Sequence, residues 1–131
     1  MSSVYRKKEC SYCGNQHRGR GETYCSSQCQ NDSQRMKKVK LWLEGEHNGM
    51  RGKTSTSTWI KWYLIKERGN KCELCGWNEI NPYTNNIPIE LEHKDGDFTN
   101  NHIENLCLIC PNCHSLTPTY RALNKGKGRP R

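Results

Sequence analysis

The sequence predicts a small α+β protein that bound metal stabilises, and three observations lead to this prediction. The chain has 131 residues, which is enough for one domain or two very small ones. Only 32% of the residues are hydrophobic, so the apolar core is thin and needs further stabilisation. Eight of the nine cysteines stand in pairs that are three or four residues apart, and this spacing favours metal ligation.

The charge balance and the lack of long apolar segments narrow the class of protein. The formal net charge of +8 favours a polyanionic partner such as nucleic acid, and a basic protein without such a partner is the simpler alternative. No apolar run reaches the length of a membrane span, and the first ten residues lack the apolar stretch of a signal peptide. We therefore expect a cytoplasmic protein that does not contact membranes and whose cysteines stay reduced.

The N-terminal segment, residues 1–46, predicts a zinc-binding module followed by a basic helix. Four thiolates can complete a tetrahedral structural zinc site, and the set here is Cys10, Cys13, Cys25 and Cys29. The glycine-rich stretch between the two pairs favours a turn or short hairpin, and the whole pattern resembles a treble-clef zinc finger. A helix is predicted over residues 26–46, capped by Ser26 or Ser27. Its basic side chains are candidate DNA contacts: Arg35, Lys37, Lys38 and Lys40.

Two segments without predicted regular structure lie on either side of a second domain, residues 57–124. Residues 47–56 are polar and contain two glycines, which is typical of a linker. Residues 125–131 are rich in glycine and basic residues, so we expect a disordered tail. The cations of this tail are candidate phosphate contacts: Lys125, Lys127, Arg129 and Arg131.

The sequence of the second domain predicts two helices and two strands. An apolar helix is expected over residues 57–68, with Ser57 or Thr58 as its cap and Gly69 at its end. Residues 87–92 alternate between apolar and polar, which predicts a half-buried strand, and residues 106–109 predict a second strand. A further helix should begin near residue 112, and Pro118 should interrupt it.

A second structural zinc site is predicted from two further Cys-x-x-Cys pairs in this domain: Cys72, Cys75, Cys110 and Cys113. Two alternatives remain at this point. Cys107 also stands three residues before Cys110, although its place between two leucines favours a small core residue. His114 directly follows the second pair and is an alternative ligand to Cys113.

Beside this zinc frame stand a carboxylate and two histidines: Glu92, His93 and His114. The segments LEHKDGD and ENLCLICPNCH, with the continuation SLTPTY, resemble the HNH nuclease motif of phage and mobile-element endonucleases. The resemblance covers about residues 70–124 and implies a ββα-metal fold around the four-cysteine zinc scaffold. It also implies a DNA endonuclease that leaves 5′ phosphate and 3′ hydroxyl ends.

The resemblance assigns a role to each matched residue. His93 matches the general base, and His114 matches a ligand of the catalytic metal ion. Asn105, nine residues before His114, matches the central asparagine, whose amide can bond a loop carbonyl and orient the base. Glu92 stands where the family usually has Asp or His as the other metal ligand. Such an open site of oxygen and nitrogen ligands suits Mg²⁺ or Mn²⁺ and would accept Ni²⁺ or Zn²⁺.

Other interpretations of these residues are less specific. His93 alone could be a surface histidine, Asn105 could cap a turn, and His102 is a second candidate for either histidine role. The unusual Glu92 motivates a competing hypothesis: a catalytically weak or inactive zinc-bound DNA-binding or adaptor protein. For either protein we expect duplex DNA as partner, in the host cytoplasm if a phage encodes it. One active site nicks one strand, so a double-strand cut would need a homodimer or two cleavage events, and the sequence leaves monomer and homodimer open.

Overall fold

The computed structural model describes residues 8–17 and 23–124. The chain divides into two compact units, Met1–Lys40 and Leu41–Arg131. This boundary falls inside the helix predicted for residues 26–46, so the end of that helix belongs to the second unit. The four cations predicted to contact phosphate from the C-terminal tail lie outside the described residues.

The first unit contains a small hairpin and most of a long helix. Strand β1, Lys8–Glu9, pairs antiparallel with strand β2, Gln16–His17, and the turn between them carries the first cysteine pair. Helix α1 spans Ser27–Leu43. The Ser26 hydroxyl accepts a hydrogen bond from the backbone N–H of Cys29 at 3.1 Å, which confirms Ser26 as the helix cap.

The segment predicted as a linker forms a hairpin instead. Strand β3, Met50–Arg51, pairs antiparallel with strand β4, Ser55–Thr56. Gly49 and Gly52 have φ angles of 77° and 69°, a left-handed conformation that glycine adopts readily. The backbone N–H of Ser57 donates to the carbonyl of Gly49 at 2.8 Å and closes the hairpin against the next helix. Glycines that indicate a flexible linker by composition therefore make tight turns here.

Helix α2, Thr58–Arg68, is the apolar helix that the sequence predicts. Gly69 ends it with a φ of 90°, and its backbone N–H donates to the carbonyl of Ile65. Ser57 occupies the cap position, but its side chain makes no capping hydrogen bond. The buried side chains of α2 form part of the core together with Trp42, whose ring lies 6.0 Å from the ring of Trp59.

Two strands and a short helix complete the second unit. Strand β5, Glu90–His93, pairs antiparallel with strand β6, Leu106–Ile109, and His93 stands opposite Leu106. Helix α3, Pro111–Ser115, follows directly. The first strand begins at residue 90 rather than 87, because Pro88 has no N–H for a strand ladder. Short 3₁₀ helices span Ile103–Asn105 and Arg121–Asn124. In the described part of the chain no helix has the length and apolar character to cross a membrane.

We expect Gly49→Ala to destabilise the second unit more than Gly45→Ala does. Both glycines have a φ near 80°, so each alanine is expected to cost about 1 kcal/mol from the left-handed backbone alone. A Cβ on Gly49 would also lie 2.7 Å from Ile60 Cδ1 and 2.9 Å from Asn101 Cβ, whereas one on Gly45 meets nothing within 4 Å. Crowding of this kind costs roughly a further 1–3 kcal/mol. Urea denaturation measures both variants, and equal losses would contradict close packing of the hairpin.

Candidate metal centres and active site

All eight paired cysteines meet as predicted, in two groups of four. In each group the sulfur atoms all lie within 4.8 Å of one another. The distance from Cys13 to Cys25 is 3.6 Å, from Cys25 to Cys29 3.4 Å, and from Cys75 to Cys110 3.7 Å. A zinc ion with bonds of about 2.3 Å to four sulfurs requires sulfur–sulfur distances of about 3.8 Å. Both groups can therefore hold zinc, and all nine cysteines are free of disulfides.

One thiol in each group is poised to lose its proton. Burial raises the pKa of Cys72, but hydrogen bonds from the backbone N–H groups of Cys110, Cys75 and Leu74 outweigh burial and lower it to about 6. Backbone hydrogen bonds overcome burial in the same way at Cys10, whose pKa is also about 6. The neighbouring Cys110 side chain and burial raise the pKa of Cys113 to about 12. A divalent cation removes the repulsion between thiolates within each group, because its positive charge neutralises them.

The second cysteine group joins strand β6 to helix α3. Cys110 caps α3, and its sulfur accepts a hydrogen bond from the backbone N–H of Cys113 at 3.4 Å. Cys107 lies on β6 outside the group. It is half-buried rather than a core residue. His114 directly follows Cys113 on α3 and lies outside the group of four cysteines.

Glu92 and His114 form a close pair, and His114 directly follows the last cysteine of the second group. Glu92 Oε2 lies 2.7 Å from His114 Nδ1, and the side chains are 11% and 34% exposed. The hydroxyl of Thr119 donates to the other carboxylate oxygen, Glu92 Oε1, at 3.1 Å. The rings of Tyr120 and His114 pack in a T-shaped arrangement, with centroids 5.3 Å apart. The pair is thus held from both sides and remains open to solvent at the imidazole.

The Glu92–His114 pair fits a divalent cation. One carboxylate oxygen and one imidazole nitrogen are ligands that Mg²⁺, Mn²⁺ and similar ions accept. Neighbouring ligands of an octahedral ion bound at about 2.1 Å lie about 3.0 Å apart. The present separation of 2.7 Å needs only a small opening to match that value.

His93 makes its side-chain contact elsewhere. It is 8% exposed, and its Nε2 lies 2.7 Å from Oδ1 of Asn101. The three side chains that the resemblance assigns to one active site therefore form two groups: Glu92 with His114, and His93 with Asn101. The two groups start from adjacent residues of β5, whose Cα atoms are about 3.8 Å apart.

Asn105 organises the loop between β5 and β6. Its side-chain N–H groups donate to the carbonyl of Asn100 at 2.8 Å and to Asp95 Oδ1 at 2.9 Å. Its Oδ1 accepts from the backbone N–H of Asp95 at 3.1 Å. The amide thus bonds a loop carbonyl as expected, while the contact with His93 belongs to Asn101.

Three residues near the site are absent from the sequence-based candidates. Glu90 Oε2 lies 3.8 Å from His114 Nε2, so this imidazole stands between two carboxylates. Alternation along β5 was a usable signal for Glu90, because residues two apart share one face of a strand. Thr119 and Asn101 had no such signal, since each reaches the site from a loop.

The basic residues predicted to contact DNA lie on α1 in the first unit. Lys37, Lys38 and Lys40 are exposed. Arg35 is partly committed to Asp32 on the same helix, with a nitrogen–oxygen distance of 3.2 Å. The three lysines therefore present most of the available positive charge on this helix.

Comparison with known proteins is consistent with the HNH resemblance. The chain matches no protein-family model and no solved structure. It is 52% identical over 58 residues to the H-N-H endonuclease F-TflIV of Escherichia phage T5. Those residues are 44% of this chain and 25% of the relative, so the chain spans about a quarter of that relative's length. The predicted resemblance is thereby confirmed: over this part of its length, the chain is homologous to an HNH endonuclease from a phage.

Proposed function

We propose that this protein is a metal-dependent HNH endonuclease that hydrolyses phosphodiester bonds of duplex DNA. The observation that carries the proposal is the Glu92–His114 pair, 2.7 Å apart, with His93 as the next residue on the same strand. Similarity to a phage H-N-H endonuclease over 58 residues supports the same class of chemistry. In this proposal β5, β6 and α3 are the two strands and the helix of a ββα-metal site, and zinc at the cysteines is structural.

The ion site and the base would act on the same phosphodiester bond. Glu92 and His114 would hold Mg²⁺ or Mn²⁺, which when bound offsets negative charge on the phosphate and the departing 3′ oxygen. His93 would accept a proton from the attacking water, since a neutral imidazole has a lone pair on one ring nitrogen. The water oxygen bonds to phosphorus as the bond to the 3′ oxygen breaks, and that oxygen takes a proton from solvent. The products carry a 5′ phosphate and a 3′ hydroxyl.

The remaining candidate residues would position the substrate and the site. Asn105 would keep the loop after β5 in one conformation through its bonds to Asp95 and Asn100. The lysines of α1 would contact phosphates, together with Arg35 and the basic tail. Such contacts add salt-dependent affinity and no choice of sequence. A phage or mobile genetic element would use the protein in the host cytoplasm, where its DNA lies.

The second candidate function is a DNA-binding or adaptor protein that retains the zinc frame and has lost catalysis. Glu92 favours it, because glutamate is one methylene longer than the aspartate usual in the family. A longer side chain changes where an ion sits relative to His93. The two candidates share all contacts with DNA and differ in whether metal leads to cleavage.

A plasmid assay and a metal titration together test the proposal. Zinc-loaded protein should nick supercoiled DNA in Mg²⁺ or Mn²⁺ and leave 5′ phosphate ends. The Glu92→Ala variant should bind Mn²⁺ about tenfold or more weakly, because one of two protein ligands is lost. Isothermal titration measures that affinity without relying on activity.

The matched control is Glu79→Ala, which removes the same charge from an exposed position. It should keep the wild-type affinity for Mn²⁺ and the wild-type nicking rate. Wild-type protein that binds duplex DNA but leaves it intact with every divalent ion would establish the adaptor instead. Equal Mn²⁺ affinity in all three proteins would remove Glu92 from the site.

A further inference from the structure

Asn101 is a buried amide that joins three separate parts of the second unit. It lies in the loop before β6 and is 5% exposed. Its Oδ1 lies 2.7 Å from His93 Nε2. Its Nδ2 lies 3.1 Å from the carbonyl oxygen of Asn48 and 3.2 Å from the sulfur of Met50. Every polar atom of this side chain therefore has a partner.

The partners determine which way the amide faces. The carbonyl of Asn48 can only accept a hydrogen bond, so the group that faces it must be the N–H₂ of Asn101. The oxygen of Asn101 then faces His93 and can only accept. His93 Nε2 must supply the proton for this hydrogen bond. The reverse orientation would place two acceptors against each other in a buried site, which costs about 1–3 kcal/mol.

A hydrogen bond donated by Nε2 determines which tautomer the neutral histidine adopts. A neutral imidazole carries one proton, so Nε2–H leaves Nδ1 with a free lone pair. We propose that Asn101 is the positioning residue of this site, because its hydrogen bond holds His93 in the Nε2–H tautomer with Nδ1 as the basic atom. This role rests on the proposed nuclease function, in which His93 takes the proton from water.

Asn101 can act in this way because its own backbone is held. The indole N–H of Trp42, near the end of α1, donates to the carbonyl of Asn101 at 2.7 Å. Gly49 lies so close that a Cβ there would be 2.9 Å from Asn101 Cβ. The side chain and the backbone are thus each anchored to the segment 42–57, far from the loop in sequence.

Through its contacts with Asn101, the β3–β4 hairpin supports the geometry of the active site. In this proposal the hairpin segment and Trp42 act through Asn101, which they hold by hydrogen bonds. The Asn101 amide in turn holds His93. An active-site side chain needs such support to keep one geometry. The nuclease unit would accordingly be incomplete in a fragment that begins at residue 57.

The ¹⁵N spectrum of the His93 ring tests the proposal directly in full-length, zinc-loaded protein without a catalytic metal ion. The spectrum is recorded at a pH high enough to keep all imidazoles neutral, so that a change of tautomer is not confused with a change of protonation. Wild-type protein should show a protonated Nε2 and an unprotonated Nδ1. Asn101→Asp keeps the acceptor that faces His93 and loses the donor to the Asn48 carbonyl, so it should keep this tautomer in a less stable protein. Asn101→Ala should show a mixture of both tautomers and a kcat about 10–100-fold lower with KM unchanged.

The control is Asn100→Ala, which removes the neighbouring amide. Asn100 Nδ2 donates to Asp95 Oδ2 at 2.8 Å rather than to His93, so the tautomer should stay as in wild type. A protonated Nδ1 in wild-type protein would overturn the proposal without any variant, as would an unchanged tautomer and kcat in Asn101→Ala. If the spectra are as expected but the protein never cleaves DNA, the contact between Asn101 and His93 is supported. Only the proposed nuclease function is then overturned.

Discussion

His93→Ala is expected to lower the nicking rate of the zinc-loaded protein about 10²–10⁴-fold, the usual effect of removing a general base. Affinity for duplex DNA and for Mn²⁺ should stay near wild type, because the ion ligands are Glu92 and His114. The effect should therefore appear in kcat rather than in KM. A gel assay of supercoiled plasmid under single-turnover conditions measures the rate.

Two further variants separate chemistry from folding in this experiment. His93 is buried, so alanine leaves a cavity, whereas His93→Gln retains an N–H that can donate to Asn101 and cannot take a proton at neutral pH. His93→Ala and His93→Gln should lose nicking activity to a similar extent. His102→Ala changes an exposed histidine of the same loop and should cleave at the wild-type rate. If His93→Gln cleaves as fast as wild type, His93 is not the base.

Cys72→Ser is expected to remove zinc from the second unit and to abolish its cooperative unfolding. Cys72 is 1% exposed and stands among three other sulfurs. Structural zinc contributes on the order of 10 kcal/mol to folding in small domains of this kind, which is comparable to the whole free energy of unfolding of a typical protein. Atomic absorption should find one zinc ion per chain instead of two, and plasmid nicking should disappear.

The neighbouring thiol provides the control for this substitution. Cys107→Ser makes the same chemical change at a half-buried cysteine outside the metal group. Both zinc ions should remain, with a small loss of stability. Two zinc ions and normal nicking in Cys72→Ser would show that the cysteine group is not a metal site and that the core alone supports this unit.

The metal sites and the main helices could be predicted from local sequence. A Cys-x-x-Cys pair places two thiolates on one turn, so four such cysteines indicate a tetrahedral site before any fold is known. Ser26 and Gly69 mark helix ends through their own backbone and side-chain chemistry. The HNH resemblance depends on spacing within one stretch of chain, and that stretch folds as two strands and a helix.

The sequence alone determined the ligand types, the acid–base candidates and the positive charge of this protein, because each depends on residue identity and short spacing. Only the tertiary structure decided which asparagine meets His93 and that residues 50–56 form a hairpin rather than a linker. Asn100, Asn101 and Asn105 are chemically alike, and their partners differ through contacts with residues up to 59 positions away, such as Trp42 with Asn101. A hydrogen bond requires atoms to meet in space, and composition carries no information about which distant segments of a chain will meet.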